Sequence, residues 1–325
     1  MIRGWCPSLY EPMETGDGLL VRVKPPAARL TSAAVYALAD AVGRHGTGVI
    51  ELTRRGNLQI RGLSPDGVAP FAAAMVAAGL AHPDPATERR RVVIPPPLAG
   101  DDPAVPDDGL AERIEAGLPH GLPAKFGIAI EGAGVLSATP GANLIVGADG
   151  SLVLRKRAGC GLKATATPPA VGWLPYGNGY GAFGLGLPFG ETNGAGLRAV
   201  AGWADRFSDG AIRLSPWRAL LLGRVAAGDV PRLMEAVFHA FPGEKAGLRF
   251  IVDGNDPRLL VTACVGAPAC GSASVPARLD AARFTGGRMH FSGCAKGCAY
   301  PGGPAMVAEA GRYVRAEAWT PGAMP

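Results

Sequence analysis

An internal repeat constrains the fold of this chain more than any other feature of its sequence. From about residue 17 to residue 80 the pattern reads β-α-β-β-α: a strand GLLVRV, a helix SAAVYALADAVGRHG, a strand pair GVIELT and LQIRGL, and a helix GVAPFAAAMVAAGL. Thr31 or Ser32 is placed to cap the first helix, and Gly46 is placed to end it. The same order returns from about 181 to 242, where GWADRFSDGAIRLS matches ALADAVGRHGTGVIELT at an offset of roughly 160 residues.

Each copy of the repeat has the element order of one half of a ferredoxin-like fold. Two halves of this kind can pair across a pseudo-twofold axis and enclose a cleft between them. A different segment follows each copy, so we predict an α+β chain of four parts. The predicted boundaries are 1–85 and 171–245 for the half-ferredoxin-like units, and 86–170 and 246–325 for the segments that follow them.

Four of the six cysteines fall within 35 positions, in TACVGAPACGSA and SGCAKGCAYP. Their pattern is C-x5-C, 23 intervening residues and C-x3-C, formed by Cys264, Cys270, Cys294 and Cys298. Structural zinc sites favour thiolates two residues apart, which these spacings do not provide. A [4Fe–4S] cluster tolerates wider spacing, and the small neighbouring residues let backbone amides approach its sulfides. The pattern favours a [4Fe–4S] cluster, with zinc and four buried thiols as open alternatives.

The remaining composition, the N-terminal sequence and the net charge limit which classes of protein the chain can belong to. The 325-residue chain has no run of 18 apolar residues, and MIRGWCPSLYEPM lacks the apolar core of a secretory signal. We therefore expect a cytoplasmic protein without a membrane span or disulfides. The net charge is +5, but the basic residues form short separate groups, which argues against a nucleic-acid interface. Groups such as LTRRGNLQIRG, ERRR, LRKRAGCGLK and IRLSPWR can converge in space on a polyanionic small molecule.

The C-x5-C pattern followed by SGCxxxC resembles the sulfite/nitrite reductase superfamily, and the resemblance covers nearly the whole chain. In that superfamily the four cysteines bind a [4Fe–4S] cluster, and the last one, Cys298 here, also bridges to the iron of sirohaem. The resemblance implies that the repeats alternate with two α/β modules of the nitrite/sulfite reductase type. The second module is expected to carry the iron–sulfur site.

Three basic residues match active-site motifs of that superfamily. LTRRGNLQIRG resembles its TTRQxxQ strand and places Arg55 at an anion-contacting arginine, and RRVVIPPPLAG places Arg91 at a second one. LPAKFGIAI places Lys125 at the first of two active-site lysines. The resemblance implies catalytic roles for all three. The second lysine is Gly127 here and the arginine before the first is Ala124, so the cationic machinery for six-electron reduction of sulfite or nitrite is incomplete.

The opening RGWCPSLYEPMETGDGLLVRVKP and both cysteine segments resemble one subgroup, the precorrin-3B synthases of aerobic cobalamin biosynthesis. This resemblance implies hydroxylation of precorrin-3A at C20 by O2, closure of a γ-lactone, and an NADH-linked reductase as electron donor. A tetrapyrrole that carries many carboxylates needs basic side chains from several segments. The glycine-rich YGNGYGAFGLGLPFG (176–190) is expected to let backbone approach such a flat ligand. The expected substrate-binding residues are Arg22, Arg54, Gln59, Arg213 and Arg218.

Two other functions stay open at this point. One is a small sirohaem-dependent sulfite or nitrite reductase, and only this function would require sirohaem. The other is a non-catalytic iron–sulfur protein that binds a tetrapyrrole or carries electrons. The subgroup is also associated with a non-haem iron, for which His82 and Asp84 spell H-x-D, although plain surface is the simpler interpretation. His290, four residues before Cys294, is expected to pack near the cluster or the ligand rather than to bind the metal.

Overall fold

The computed structural model describes residues 7–123, 126–136, 142–147, 149–154, 170–241 and 250–321. These residues form two five-stranded sheets with helices packed against them and two four-stranded sheets. The arrangement confirms the α+β class that the sequence predicts. None of the helices in the described ranges is long and apolar enough to cross a membrane.

The first repeat follows the predicted order. Its strands are β1 (Met13–Thr15), β2 (Gly18–Val23), β3 (Arg29–Thr31), β4 (Val49–Leu52) and β5 (Leu58–Leu63), and its helices are α1 (Ser32–His45) and α2 (Pro65–Ala77). The predicted strands GLLVRV and LQIRGL coincide with β2 and β5. The Thr31 hydroxyl accepts a hydrogen bond from the Ala34 N–H at 3.2 Å, which confirms Thr31 as the cap of α1.

A small α/β module follows the first repeat. Its elements are α3 (Pro85–Arg89), β6 (Val93–Ile94), α4 (Leu110–Gly117), β7 (Ile128–Ile130), β8 (Leu144–Val146) and β9 (Leu152–Leu154). The strands lie in the order β6-β7-β8-β9 and form the first module sheet. The first two strand pairs are parallel, and the last pair is antiparallel.

The second repeat reproduces the first. Its elements are β10 (Gly172–Gly177), β11 (Tyr180–Gly186), β12 (Glu191–Asn193), α5 (Gly194–Phe207), β13 (Ala211–Leu214), β14 (Ala219–Ala226) and α6 (Val230–His239). The helices α1 and α5 each have 14 residues, and Asn193 caps α5 as Thr31 caps α1. The predicted helix GAGLRAVAGWADRF coincides with α5.

A second α/β module completes the chain. Its elements are β15 (Val261–Ala263), α7 (Ala277–Ala282), β16 (Met289–Ser292), β17 (Ala305–Glu309) and β18 (Arg312–Ala316). The strand order β15-β16-β17-β18 defines the second module sheet. Its pairs are again parallel, parallel and antiparallel, so the modules repeat as the half-ferredoxin-like units do.

The two repeats exchange one strand each. The strand β12 of the second repeat completes the first half-sheet, in the order β1-β2-β5-β4-β12. The strand β3 of the first repeat completes the second half-sheet, in the order β10-β11-β14-β13-β3. The helices α1 and α5 pack against each other, and one apolar core joins both half-sheets. The repeats therefore form one body about a pseudo-twofold axis, and neither half-sheet is complete without the other repeat.

Left-handed backbone conformations recur at equivalent positions of the repeats. Gly56 has φ 65° and its counterpart Arg218 has φ 59°, while Gly62 has φ 69° and its counterpart Arg224 has φ 52°. The spacing within each pair equals the spacing between the starts of α1 and α5. In the second repeat, two arginines thus adopt a conformation that glycine adopts at lower cost.

The glycine-rich stretch 176–190 forms the end of β10, all of β11 and the turns beside them. A Cβ at Gly184 would lie 2.1 Å from the Ala170 carbonyl oxygen, and a Cβ at Gly186 would lie 2.7 Å from Cγ1 of Val171. Gly184 and Gly186 therefore allow close contact with another segment of the same chain. A Cβ at Gly177 or Gly179 would meet no atom within 4 Å, so the expectation that the stretch lets a flat ligand approach stays a prediction.

Candidate functional site

The four clustered cysteines lie at one edge of the second module sheet. Cys264 directly follows β15, and Cys294 comes two residues after the end of β16. Because β15 and β16 are parallel, their carboxyl ends meet at the same edge, where the loops that carry Cys270 and Cys298 begin. None of the four forms a disulfide bond in the described part of the chain.

The loops around the cysteines meet closely. The Gly293 N–H donates a hydrogen bond to Sγ of Cys264 at 3.1 Å, a contact that favours the thiolate. A Cβ at Gly293 would lie 2.6 Å from Cβ of Ala273, so glycine is what lets the two loops touch. Burial raises the pKa of the Cys264 thiol, and the neighbouring Cys294 and Cys270 raise it further. The thiols are therefore close enough to interact, and a metal centre would be needed to hold them ionised together.

The four thiols offer the donor chemistry that an iron–sulfur cluster requires. Among the described residues, no three His, Cys, Asp or Glu side chains are arranged to hold one metal ion. Thiolates around a cubane of iron and sulfide stand farther apart than the ligands of one tetrahedral zinc ion. Three thiols that interact beside one sheet edge, with Cys298 in the loop that follows Cys294 and a backbone N–H aimed at Sγ of Cys264, fit such a cluster.

A row of polar side chains crosses the first half-sheet and ends at the second module. Arg22, Gln59 and Glu51 are cross-strand neighbours on β2, β5 and β4. Nη2 of Arg22 donates to Oε1 of Gln59 at 2.5 Å, and Nε2 of Gln59 donates to Oε2 of Glu51 at 3.0 Å. Arg278, the second residue of α7, donates to Oε1 of Glu51 at 2.6 Å and also pairs with Glu191 on β12.

Arg61 joins the same face of the half-sheet to the cysteine loop. Its guanidinium donates to both carboxylate oxygens of Asp17, at 2.9 and 3.0 Å, and to the Ala269 carbonyl at 2.8 Å. Ala269 lies between the first two cysteines of the sequence pattern. Although burial acts to raise the pKa of Glu51, Arg278 and Arg61 hold that pKa below its usual range. The row and the cysteine loops therefore form one charged network.

Two adjoining cavities, of about 310 and 160 Å³, open beside this row. Both cavities are lined by Lys24, Arg55, Asn57, Arg91 and Val93. The smaller cavity also contacts Arg22, so the structure brings together three of the basic residues that the sequence predicts. Nη1 of Arg55 donates to the Phe126 carbonyl at 3.1 Å, and Nη1 of Arg91 donates to the Lys24 carbonyl at 3.1 Å.

Two residues of these cavities were missed by the sequence reasoning. Burial lowers the pKa of Lys24, and the positive charges of Arg22 and Arg55 lower it further. A signal for Lys24 existed, because it lies two residues after Arg22 and alternation along a strand puts both on one side. Burial raises the pKa of Glu115, which lines the larger cavity, to about 7, and its Oε1 accepts a hydrogen bond from the Val93 N–H at 3.1 Å.

The position of the missing second lysine lies against Arg55. A Cβ at Gly127 would stand 3.6 Å from Cζ and Nη1 of Arg55, so a side chain there would occupy the space beside the guanidinium. Gly127 leaves that space open. Lys125 and Ala124 lie outside the described residues.

Arg54 and Arg218 lie in the equivalent loops β4–β5 and β13–β14. Both place positive charge near His290 on β16, and burial together with these two arginines lowers the pKa of His290 to about 3. The His290 ring is neutral, and its Nδ1 lies 2.9 Å from Oγ1 of Thr262. Burial and repulsion from Arg54 and Arg278 lower the pKa of Arg218 to about 9, which leaves it charged at neutral pH.

Arg213 has a different set of partners. Its side chain is 1% exposed, its Nη1 donates to Oδ1 of Asp209 at 2.8 Å, and it pairs with Asp101 of the first module. Glu51 holds the equivalent position in the first half-sheet, and its partner Arg278 comes from the second module. The first half-sheet thus contributes a carboxylate to its ion pair with the second module, and the second half-sheet contributes a guanidinium to its ion pair with the first module.

The H-x-D pair forms a helix cap. Asp84 accepts hydrogen bonds from the Thr87 N–H at 2.8 Å and the Thr87 hydroxyl at 2.6 Å. The Asp84 N–H donates to Nδ1 of His82 at 3.0 Å. These contacts explain both side chains without a metal ion.

Known proteins share both the repeat and the overall architecture. The family described as the nitrite/sulfite reductase ferredoxin-like half domain matches residues 11–78 and 175–237, which lie in the two repeats. A precorrin-3B synthase from Sinorhizobium sp. is 31% identical to this chain over 93% of this chain and 79% of its own length. The solved structure of the NirA protein of Mycobacterium tuberculosis matches with a TM-score of 0.63 at 16% identity, over 91% of this chain and 73% of NirA. At that identity the NirA match shows a shared fold.

Proposed function

Because this chain belongs to the precorrin-3B synthase family, within the nitrite/sulfite reductase superfamily, we propose that it hydroxylates precorrin-3A at C20 with O2 and closes a γ-lactone. One observation carries the proposal beyond family membership. Arg22, Lys24, Arg55 and Arg91 converge on one cavity wall, and the polar row beside them leads to the cysteine-bearing module. A flat polycarboxylate needs such a wall, because guanidinium groups bind carboxylates with two parallel hydrogen bonds.

We propose that Arg55 and Arg91 hold substrate carboxylates next to the reacting face, together with Lys125. An arginine stays protonated throughout the physiological pH range, so these side chains act through charge and fixed geometry rather than as bases. The open space at Gly127 lets a ring edge approach Arg55, where a lysine would fill it. Oriented carboxylates also favour lactone closure, because the attacking acetate is held near its target carbon.

The remaining substrate contacts are proposed on the same face. Arg22 and Gln59 belong to the polar row, and Arg54 and Arg218 lie where the equivalent hairpin loops meet β16. Arg213, which the sequence groups with them, has its donors engaged by Asp209 and Asp101. We therefore propose a structural role for it.

We propose that the four cysteines hold a [4Fe–4S] cluster, which supplies single electrons when bound. The overall reaction takes one oxygen atom into the substrate and releases the other as water, so it consumes two electrons and two protons. An NADH-linked reductase is the proposed source of the electrons. The protein's own residues would bind and orient the ring, and the Gly293 N–H, which donates to Sγ of Cys264 at 3.1 Å, would stabilise that sulfur as a thiolate ligand of the cluster.

Labelled oxygen tests the reaction. Protein loaded with iron and sulfide under anaerobic conditions is mixed with precorrin-3A, a reductase, NADH and ¹⁸O2, and the product is analysed by mass spectrometry. We expect one labelled oxygen in a lactone product. Absence of label would refute O2 as the source of the oxygen atom. Sulfide formed from sulfite with a strong viologen donor would identify a sirohaem-dependent reductase. Soret and red absorption bands in the purified protein would support that second result.

A further inference from the structure

Arg218 lies in the β13–β14 loop, and its positive charge acts on His290 of β16. Among the described residues, Nε and Nη1 of Arg218 are buried and have no hydrogen-bond partner. The carboxylate whose charge reaches Arg218 is Glu51, and it already accepts hydrogen bonds from Arg278 at 2.6 Å and Gln59 at 3.0 Å. A buried guanidinium in this state is costly, so its environment is suited to an anion supplied from outside the chain.

His290 on β16 is a second buried donor, and Arg218 and Arg54 are the charges that act on its ring. It is 1% exposed, and its Nε2 is buried without a partner among the described residues. The Thr262 hydroxyl lies 2.9 Å from its Nδ1. When that hydroxyl donates to Nδ1, the ring proton lies on Nε2, which can then donate to an anion.

The backbone is shaped to present Arg218. Its φ of 59° is a conformation for which the equivalent residue of the first repeat is Gly56. Gly190 lies under the side chain, and a Cβ there would stand 3.0 Å from Cδ of Arg218. A left-handed backbone is not by itself a sign of function, because Arg224 adopts one with a side chain that is 62% exposed. Arg218 differs because, among the described residues, its Nε and Nη1 are buried and have no hydrogen-bond partner.

We propose that Arg218 and His290 form a buried oxyanion subsite that takes one carboxylate of the tetrapyrrole, with Arg54 adding charge. The inference rests on the proposed function in one respect, the assignment of that carboxylate to the tetrapyrrole. A free oxyanion such as phosphate presents the same chemistry to the same donors. The tetrapyrrole is favoured because Arg54 directly precedes Arg55 of the cavity wall, so that one ligand can reach both.

Uroporphyrin III, a metal-free tetrapyrrole rich in carboxylates, serves as the probe, and its binding is followed by fluorescence titration. Loss of a charge-assisted contact in Arg218→Met should weaken binding by roughly 10- to 100-fold. His290→Leu should weaken it by roughly tenfold. Arg218→Gly should weaken binding as Arg218→Met does, yet raise the Tm of the ligand-free protein by about 2 °C, because glycine removes the backbone strain.

Arg224→Gly is the matched control. It also replaces a left-handed arginine with glycine, but its exposed side chain lies outside the subsite. We expect a similar rise in Tm with uroporphyrin affinity unchanged within about twofold. If the Arg218 variants bind uroporphyrin as the wild type does, the inference is overturned while the proposed function stands.

Millimolar phosphate separates the two sources of the anion. If phosphate raises the Tm of the wild type but not of Arg218→Met, and uroporphyrin does not bind the wild type, the tetrapyrrole function fails and the subsite holds a free oxyanion. If neither probe binds the wild type, the inference and the proposed function both fail. If the Arg218 variants lose uroporphyrin binding and phosphate does not change the Tm of the wild type, the result supports both the inference and the proposed function.

Discussion

Replacement of Arg213 by Met is expected to destabilise the protein without affecting its ligand. The Arg213 guanidinium is buried between Asp101, whose side chain is 3% exposed, and Asp209, whose side chain is 31% exposed. Removing one partner of a buried ion pair costs about 3–5 kcal/mol, because the other charge stays buried. Asp209 can be solvated, and Arg29 lies 3.8 Å from Asp101, so the lower end of that range applies here. We expect a loss of about 3 kcal/mol, which corresponds to a fall in Tm of roughly 5–10 °C.

Thermal unfolding of the wild type, Arg213→Met, Asp101→Asn and the double variant measures this effect. The double variant should recover about 1–3 kcal/mol relative to the sum of the single losses, because it no longer buries an isolated charge. Uroporphyrin affinity should stay within about twofold of the wild type in all three variants, because Arg213 has the structural role proposed above. A twofold change corresponds to less than about 0.5 kcal/mol of binding free energy. Additive losses would refute the pairing. An unchanged Tm with tenfold weaker uroporphyrin binding would show that Arg213 contacts the ligand after all.

Three further outcomes are expected. Cys264→Ser should remove iron and acid-labile sulfide from anaerobically prepared protein, whereas Cys6→Ser should retain both, and loss of iron in the latter would contradict the assigned ligand set. Arg55→Ala and Arg91→Ala should each weaken uroporphyrin binding by roughly tenfold or more in the same titration. Because the folded-state pKa of Glu115 is raised to about 7, above its value in the unfolded chain, its ionisation opposes folding. As the pH rises from 5 to 8, the wild type should therefore lose about 1–2 kcal/mol of unfolding free energy relative to Glu115→Gln, as measured by denaturant titrations. This loss is smaller than the free energy that corresponds to the whole pKa shift, because Glu115 is only half-buried and solvent screens its charge.

Local signals in the sequence were sufficient for the main helices and most of the longer strands of both repeats, but not for the short strands β1, β3 and β12. Alternation over six residues defines β2, and the Thr31 cap and Gly46 define the ends of α1, because each signal acts within one or two turns or a short strand. The sequence analysis singled out only some of the residues at the candidate site. Resemblance to known motifs singled out Arg55 and Arg91, which line the two cavities, whereas the sequence analysis did not single out Lys24, which lines them too.

Two copies of one unit and a cysteine pattern suited to a metal centre are evident from the sequence. The exchange of β3 and β12 between the half-sheets, and with it the pairing of charges, is evident only in the fold. Arg213 and Arg218 lie five residues apart in one motif. Arg213 pairs with Asp101, 112 positions away, whereas Nε and Nη1 of Arg218 are buried without a hydrogen-bond partner among the described residues. The physical reason is that the energy of a buried charge depends on the groups that packing brings around it, and those groups come from distant parts of the chain.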